Sequence, residues 1–283
     1  MLSHRHIAPA LAARRAGARS ARVSTDLGLT SVEARLGRDG PLLADGTLLR
    51  WGMLEVVSAA ASRGPFGDPC FVVEGGSIER VQLYSEWTGR PCSLIATHGA
   101  PTVVLAGFPM HRVKGIDPYR DTLLKMRTLA PVRGPVLDTT TGLGYTAIEA
   151  ARTADRVVTI ELDPAVLAVA RLNPWSRPLF ADDTIERVVG DATEVVPTLA
   201  DASFARIVHD PPSFSLAGEL YSRAFYAHLR RVLRPGGRLF HYTGDPESGL
   251  GRRITTGVKR RLLDAGFERV VERPQAFGLV AYR

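Results

Sequence analysis

Four carboxylates, Asp138, Glu161, Asp191 and Asp210, each stand at the end of a short apolar run. The first run continues as Asp138-Thr-Thr-Thr-Gly142-Leu-Gly144-Tyr145 before a helical pattern begins. Glycines after a strand let backbone approach a ligand where a Cβ would intrude. A dinucleotide turn prefers Gly-x-Gly-x-x-Gly, with a pyrophosphate at the helix N-terminus. Here Thr140 takes the first glycine's place, and no third glycine follows at the right spacing. Glu161 is placed to accept both hydroxyls of a ribose, and Asp191 the exocyclic amine of an adenine. Together with Asp210 they point to one adenosyl group rather than a pyrophosphate. The bland reading is that strand-end carboxylates cap the helices that follow. It accounts for one or two of the four more easily than for all.

Asp210-Pro211-Pro212-Ser213-Phe214 is the second chemical feature. Two prolines make a rigid turn lacking two N–H donors. Its carbonyls, with Asp210, are expected to face a ligand as acceptors. Acceptors of that kind orient an amine and stabilise positive charge developing on nitrogen. Phe214 is placed to stack on a flat base. A tight turn without chemistry is the alternative. Glu219 and Tyr221 follow and are expected to wall a substrate pocket with Ser213, whereas Phe225 reads as core. His209 and His241, near strand ends, read as hydrogen-bonded core residues rather than bases. Arg112 and Lys114, in the basic stretch His111–Arg120, either hold a phosphate or acidic substrate or belong to a linker. Activating a pyrimidine carbon requires a cysteine thiolate. The chain has two cysteines, Cys70 and Cys92, and none between residue 93 and the end, which disfavours that chemistry.

These residues need a scaffold. From about Val132, strand and helix patterns alternate. Strands are expected at Val136–Asp138, Arg156–Glu161, Ile185–Gly190, Phe204–His209 and Arg238–Tyr242. Helices are expected at Thr146–Ala154, Pro164–Leu172, Leu220–Leu233 and Val258–Ala265. Arg269–Glu272 and Phe277–Tyr282 close the chain as an antiparallel pair. Such alternation makes an α/β fold, a mostly parallel sheet covered on both faces, with ligands at the strands' carboxyl ends. The expected organisation is a basic, flexible tail over 1–25, a small, partly β α+β domain over 26–115, and the α/β domain over 116–283.

The α/β domain resembles the class I, Rossmann-like methyltransferases. "VLDTTTGLGYTA" is similar to their first motif and "VVTIELDP" to the second. "VVGDA", "HDPPSF" and "LRPGGRLFHY" follow as third, fourth and fifth. The resemblance implies S-adenosyl-L-methionine as cofactor. Asp138, Thr140, Gly142, Gly144 and Tyr145 would lie along its amino-acid part, Glu161 and Leu162 at the ribose, and Asp191 and Ala192 at the adenine. "HDPPSF" resembles the Asp/Asn-Pro-Pro-aromatic signature of amino-group methyltransferases, with Ser213 pushing the aromatic to Phe214. This implies Asp210, Pro211, Pro212 and Phe214 as the catalytic set. More narrowly, "DTTTGLGYTAIEAAR" and "HRVKGIDPYRDT" resemble an archaeal-type group of methyltransferases of which some are labelled spermine-synthase-like.

Composition is that of an ordinary globular chain, 45% apolar and 23% charged. No apolar run approaches the ~20 residues a membrane helix needs. The net charge is +7, and five arginines with no acid lie in the first 22 residues. That tail reads as a nucleic-acid arm, a transit peptide or a solvated terminus, and not as a secretory signal. Two cysteines without metal spacing fit a reducing cytoplasm and no metal site. The expected activity is nitrogen methylation of an RNA base. The alternatives are aminopropyl transfer to a polyamine, methylation of a small-molecule amine, and a catalytically silent RNA-binding protein.

Overall fold

The computed structural model describes residues 1–61 and 67–283. These form two compact units: Met1–Tyr119 with Ala168–Arg177, and Arg120–Leu167 with Pro178–Arg283. The first division falls between Tyr119 and Arg120, and the stretch 168–177 belongs to the first unit.

The first unit contains helices α1 (His4–Arg15) and α2 (Trp51–Ala59). Its ten short strands are β1 (Ser20–Val23), β2 (Val32–Leu36), β3 (Pro41–Leu42), β4 (Asp68–Pro69), β5 (Phe71–Glu74), β6 (Ser77–Arg80), β7 (Gln82–Ser85), β8 (Arg90–Ala96), β9 (Thr102–Leu105) and β10 (Phe108–Pro109). They form three antiparallel sheets. The expected flexible tail is instead part of this unit's core. Leu2, Ile7 and Ala10 are buried against Val23, Leu54, Val57 and Phe71. Arg14 stacks its guanidinium on Trp51 at 4.5 Å and bonds Glu55 at 2.8 Å. The arginine count suggested solvation, but every third or fourth residue of α1 is apolar enough to pack. Cys70 and Cys92 are buried in this unit, and burial pushes the Cys70 thiol up.

In the second unit, helix α3 (Pro118–Leu129) leads into strand β11 (Pro135–Asp138). Then follow α4 (Tyr145–Ala151), β12 (Arg156–Glu161), α5 (Pro164–Leu172), α6 (Arg177–Ala181), β13 (Ile185–Val189), α7 (Ala192–Thr198) and β14 (Phe204–His209). The chain ends with α8 (Arg223–Val232), β15 (Leu233–Tyr242), α9 (Gly249–Asp264), β16 (Arg269–Arg273) and β17 (Gly278–Tyr282). The sheet order is β13-β12-β11-β14-β15-β17-β16. The first five strands are parallel, and β17 pairs antiparallel with both β15 and β16. The order reverses between β11 and β14, which opens a crevice at their carboxyl ends. Asp138 and Asp210 stand on either side of it. The sequence left α3 out, reading its beginning as a basic stretch. Helix α8 starts at Arg223, capped by Ser222 accepting from the Phe225 N–H, rather than at Leu220.

Among the described residues no helix is long and apolar enough to cross a membrane. Because Ile7 sits in a packed core, Ile7→Ala should lower the unfolding free energy by about 2–4 kcal/mol. Urea denaturation monitored by circular dichroism measures this. An unchanged midpoint would restore the picture of a solvated tail.

Candidate active site

The turn after β11 is held by its three threonines, each with a different partner. Thr139 Oγ1 meets His209 Nδ1 at 2.7 Å, Thr140 donates to the Asp210 carbonyl at 2.9 Å, and Thr141 meets Thr159 Oγ1 at 2.7 Å. Thr140 therefore stitches the glycine turn to the Pro-Pro turn across the crevice, a role no glycine could fill. Gly142 and Gly144 have φ of 54° and 77°. A Cβ added at Gly144 would lie 2.6 Å from Leu179 Cδ2, whereas one at Gly142 would project into open space. Tyr145 is buried at the first position of α4.

Asp138 is fully buried, and its Oδ2 accepts from Thr146 at 3.1 Å and Thr159 at 2.9 Å. Its Oδ1 is buried with no hydrogen-bond partner. Burial raises this carboxyl to about 7, opposed by the two threonine bonds and aided by the nearby charges of Asp210 and Glu161. Glu161 accepts from the Gly142 N–H at 2.8 Å and the Asp163 N–H at 3.0 Å, and burial raises it also to about 7. Leu162, half-buried, follows it. Asp191 is the one strand-end carboxylate of the four that caps a helix. Its Oδ1 accepts from the Thr193 N–H and hydroxyl, both at 2.7 Å, ahead of the buried Ala192. Its Oδ2 takes no partner among the described residues.

Asp210 has a partner that the sequence did not reveal. Lys125 Nζ lies 2.6 Å from Asp210 Oδ2 and 2.8 Å from Asp121 Oδ2, one turn earlier on α3. It also sits 4.7 Å over the Tyr242 ring. Burial alone would lower the ammonium's pKa; Asp210 and then Asp121 hold it above its ordinary value. Side-chain exposure is 1% for Asp121, 4% for Lys125 and 17% for Asp210, so Asp210 is the cluster's contact with its surroundings.

The carbonyls of the Pro-Pro turn differ from expectation. The Asp210 carbonyl accepts from Thr140, and the Pro212 carbonyl accepts from Tyr221 Oη at 2.9 Å. Pro211 is buried and Pro212 half-buried. Tyr221, expected in a pocket wall, is buried in the apolar core, and its hydroxyl fixes the turn. Phe214 is 49% exposed, with its ring edge-on to Tyr221 at 5.4 Å. Ser213 is exposed and bonded to Ser215, and Glu219 is exposed. Beneath the turn, His209 donates from Nε2 to the Leu220 carbonyl, and His241 accepts from Tyr226 Oη at 2.7 Å. Burial lowers both imidazoles, His209 to about 4, so both stay neutral. Arg112 and Lys114 belong to the first unit, Arg112 half-buried and Lys114 exposed.

Of the sequence-derived set, the second unit thus holds Asp138, Thr140, Gly142, Gly144, Tyr145, Glu161, Leu162, Asp191, Ala192 and the whole turn from Asp210. Lys125 and Asp121 went unseen. Their i, i+4 spacing was the available signal, but the third member lies 85 positions away.

Comparison with known proteins bears on what this geometry serves. Residues 136–237 match the family described as a methyltransferase domain. The chain is 47% identical over 185 residues to an uncharacterized protein of Methanocaldococcus jannaschii, covering 65% of this chain and 64% of that one. It is 28% identical to polyamine aminopropyltransferase 2 of Streptomyces coelicolor, covering 72% of this chain and 36% of that one. It is 30% identical to putrescine N-methyltransferase 3 of Nicotiana tabacum, covering 50% and 38%. The matches thus span less than two thirds of these relatives' own lengths. A spermidine synthase structure in complex with the transition state analogue AdoDATO superposes with a TM-score of 0.58 at 20% identity, covering 75% of this chain and 78% of that one. That likeness is one of fold.

The match to a methyltransferase domain implies an adenosyl donor, and the residues fit one. Asp138 Oδ1 is an orphaned buried acceptor, and Gly142 leaves room above the turn. The carboxyls make a pH prediction. A carboxyl whose folded pKa is raised keeps its proton in the native state while the unfolded chain loses it. Stability then falls as pH climbs from about 4 to about 7 and is flat above. Asp138→Asn should flatten that slope and add about 1–2 kcal/mol at pH 8. Urea midpoints at pH 5, 6, 7 and 8 test this; a parallel curve for the variant would contradict the assigned burial.

Proposed function

We propose that this chain transfers a methyl group from S-adenosylmethionine to the nitrogen of a small amine, the acceptor lying against Asp210. The observation that carries the reading is the partly exposed Asp210 carboxylate, at the end of β14 across the crevice from Asp138 and paired through one oxygen with Lys125. When bound, the donor supplies an electrophilic methyl on a sulfonium. Asp138 Oδ1 would take the donor's ammonium, Glu161 its ribose and Asp191 Oδ2 its adenine amine. Asp210 would orient the acceptor N–H and stabilise the charge that grows on nitrogen as the N–C bond forms and the S–C bond breaks. The acceptor's proton passes to solvent, and the sulfur leaves with its electron pair as a thioether.

Two observations move the acceptor from an RNA base to a small amine. The basic segment is a packed helix rather than an arm, and two of the turn's carbonyls, those of Asp210 and Pro212, already accept from Thr140 and Tyr221. The names of the relatives from Streptomyces and Nicotiana, which specify polyamine and putrescine, support the same direction.

One observation favours aminopropyl transfer as a second reading. Asp138, Glu161 and Asp210 bring carboxyl groups to the strand ends that border the crevice, and Lys125 is committed to Asp210 and Asp121. Such a lining suits a donor that lacks its own carboxylate. Calorimetry with S-adenosylmethionine, S-adenosylhomocysteine and the decarboxylated donor separates the readings. Methyl transfer requires the first two to bind at least about tenfold tighter than the third, a difference of about 1.4 kcal/mol. Asp210→Asn should cut transfer to n-butylamine about 10²–10⁴-fold while S-adenosylhomocysteine affinity stays within about tenfold. Retained transfer would remove Asp210 from the chemistry.

A further inference from the structure

Lys125 is surrounded as a bound alkylammonium would be. Two carboxylates contact its Nζ at 2.6 and 2.8 Å, and the Tyr242 ring lies 4.7 Å beneath it. Carboxylates plus an aromatic face form a general recognition set for amine cations. The lysine that fills it is tethered to α3 and shielded from water.

We propose that Lys125 is a specificity-determining residue whose ammonium fills the cation subsite of Asp121, Asp210 and Tyr242, restricting the acceptor to molecules whose reacting nitrogen is their single basic group. Lys125 Nζ engages Asp121 and one oxygen of Asp210, and each carboxylate brings a negative charge to the subsite. Only Asp210 offers its charge outward, since Asp121 is 1% exposed. One amine nitrogen can be held there. The second ammonium of a diamine would meet a subsite already occupied by a cation, with the desolvation cost of an unpaired charge. After transfer the nitrogen is a substituted ammonium, and the Asp210 carboxylate remains beside it. Lys125 itself is not the acceptor: its proton is held by both carboxylates, so its nitrogen lacks the lone pair that attack requires.

The acceptor part of this inference rests on the reading under Proposed function; occupancy of the subsite does not, and it is tested without donor or turnover. Lys125→Ala in the full chain deletes the equivalent of propylammonium. Thermal unfolding is compared in 100 mM propylammonium chloride and 100 mM sodium chloride. The variant's midpoint should rise by about 3 °C or more with propylammonium, and the wild-type midpoint should not move. Lys125→Met, which fills the space without a charge, should gain nothing. If Lys125→Ala does not fold, Lys125→Ala with Asp121→Asn, which removes one of the opposed carboxylates, is taken through the same comparison. No propylammonium-specific shift in a folded variant overturns the subsite.

Specificity is read by calorimetry with S-adenosylhomocysteine present. Wild type should bind putrescine no more than about threefold tighter than n-butylamine, and Lys125→Ala should prefer putrescine by at least about tenfold. A wild-type preference for putrescine of tenfold overturns the specificity claim. Wild type that binds neither amine overturns the acceptor reading and the specificity claim with it, leaving the propylammonium result to decide the subsite on its own.

Discussion

An ammonium taken almost wholly out of water has to find its charge matched within the protein, and Lys125 does so at the end of β14. Each buried ion costs several kcal/mol of lost hydration, and close opposite charge with good hydrogen-bond geometry is what offsets it. Here two carboxylates share the task, one from the same helix and one from the far side of a crossing connection. Helix α3 is thereby fixed in rotation and height against the strand ends. The same contact fixes where Asp210 points. With Oδ2 bound to Lys125, the side chain's remaining exposed surface defines where a ligand can approach.

The threonine run after β11 extends this logic to uncharged groups. An Asp-Thr-Thr-Thr sequence at a buried strand end places four polar side chains where water is scarce, and each must find a partner. Thr139 reaches His209, Thr140 the Asp210 carbonyl and Thr141 Thr159. Thr159 also donates to Asp138 Oδ2. Strands β11, β12 and β14 are thus joined above their ladders by side chains as well as by backbone. The atom left over is Asp138 Oδ1. A network so fully satisfied elsewhere makes that single orphan informative, because native interiors seldom leave a carboxylate oxygen without a donor.

The parallel sheet was legible because its strands are buried on both faces and read as compact apolar runs ended by carboxylates. β12 over Arg156–Glu161 and β14 over Phe204–His209 fall where their β-branched and aromatic residues place them. What escaped was decided by distant partners. Lys125 looks like a surface lysine until Asp210 arrives from 85 positions on. The five arginines before residue 23 suggested an arm because charge dominates composition, while Leu2, Ile7 and Ala10 decide the packing. Tyr221 looked like a pocket wall because sequence shows a hydroxyl near the turn but not its direction. In the fold that hydroxyl supports the turn from below. Helix α3 was masked by the basic run preceding it.

The floor of the site completes the electrostatic argument. His209 and His241 pack 4.4 Å apart between ring centroids, with Phe225 and Tyr226 beside them. Two imidazoles that close, buried, cannot both carry charge, and each is fixed neutral by a carbonyl on one nitrogen and a hydroxyl on the other. They therefore lend polarity and rigidity to the Pro-Pro turn without adding cationic charge under it. A neutral floor below, the buried Lys125 on α3 and carboxylates at the strand ends together set the charge of the crevice. Changing the number of cations there changes which amine fits, while leaving the sheet that carries the site intact.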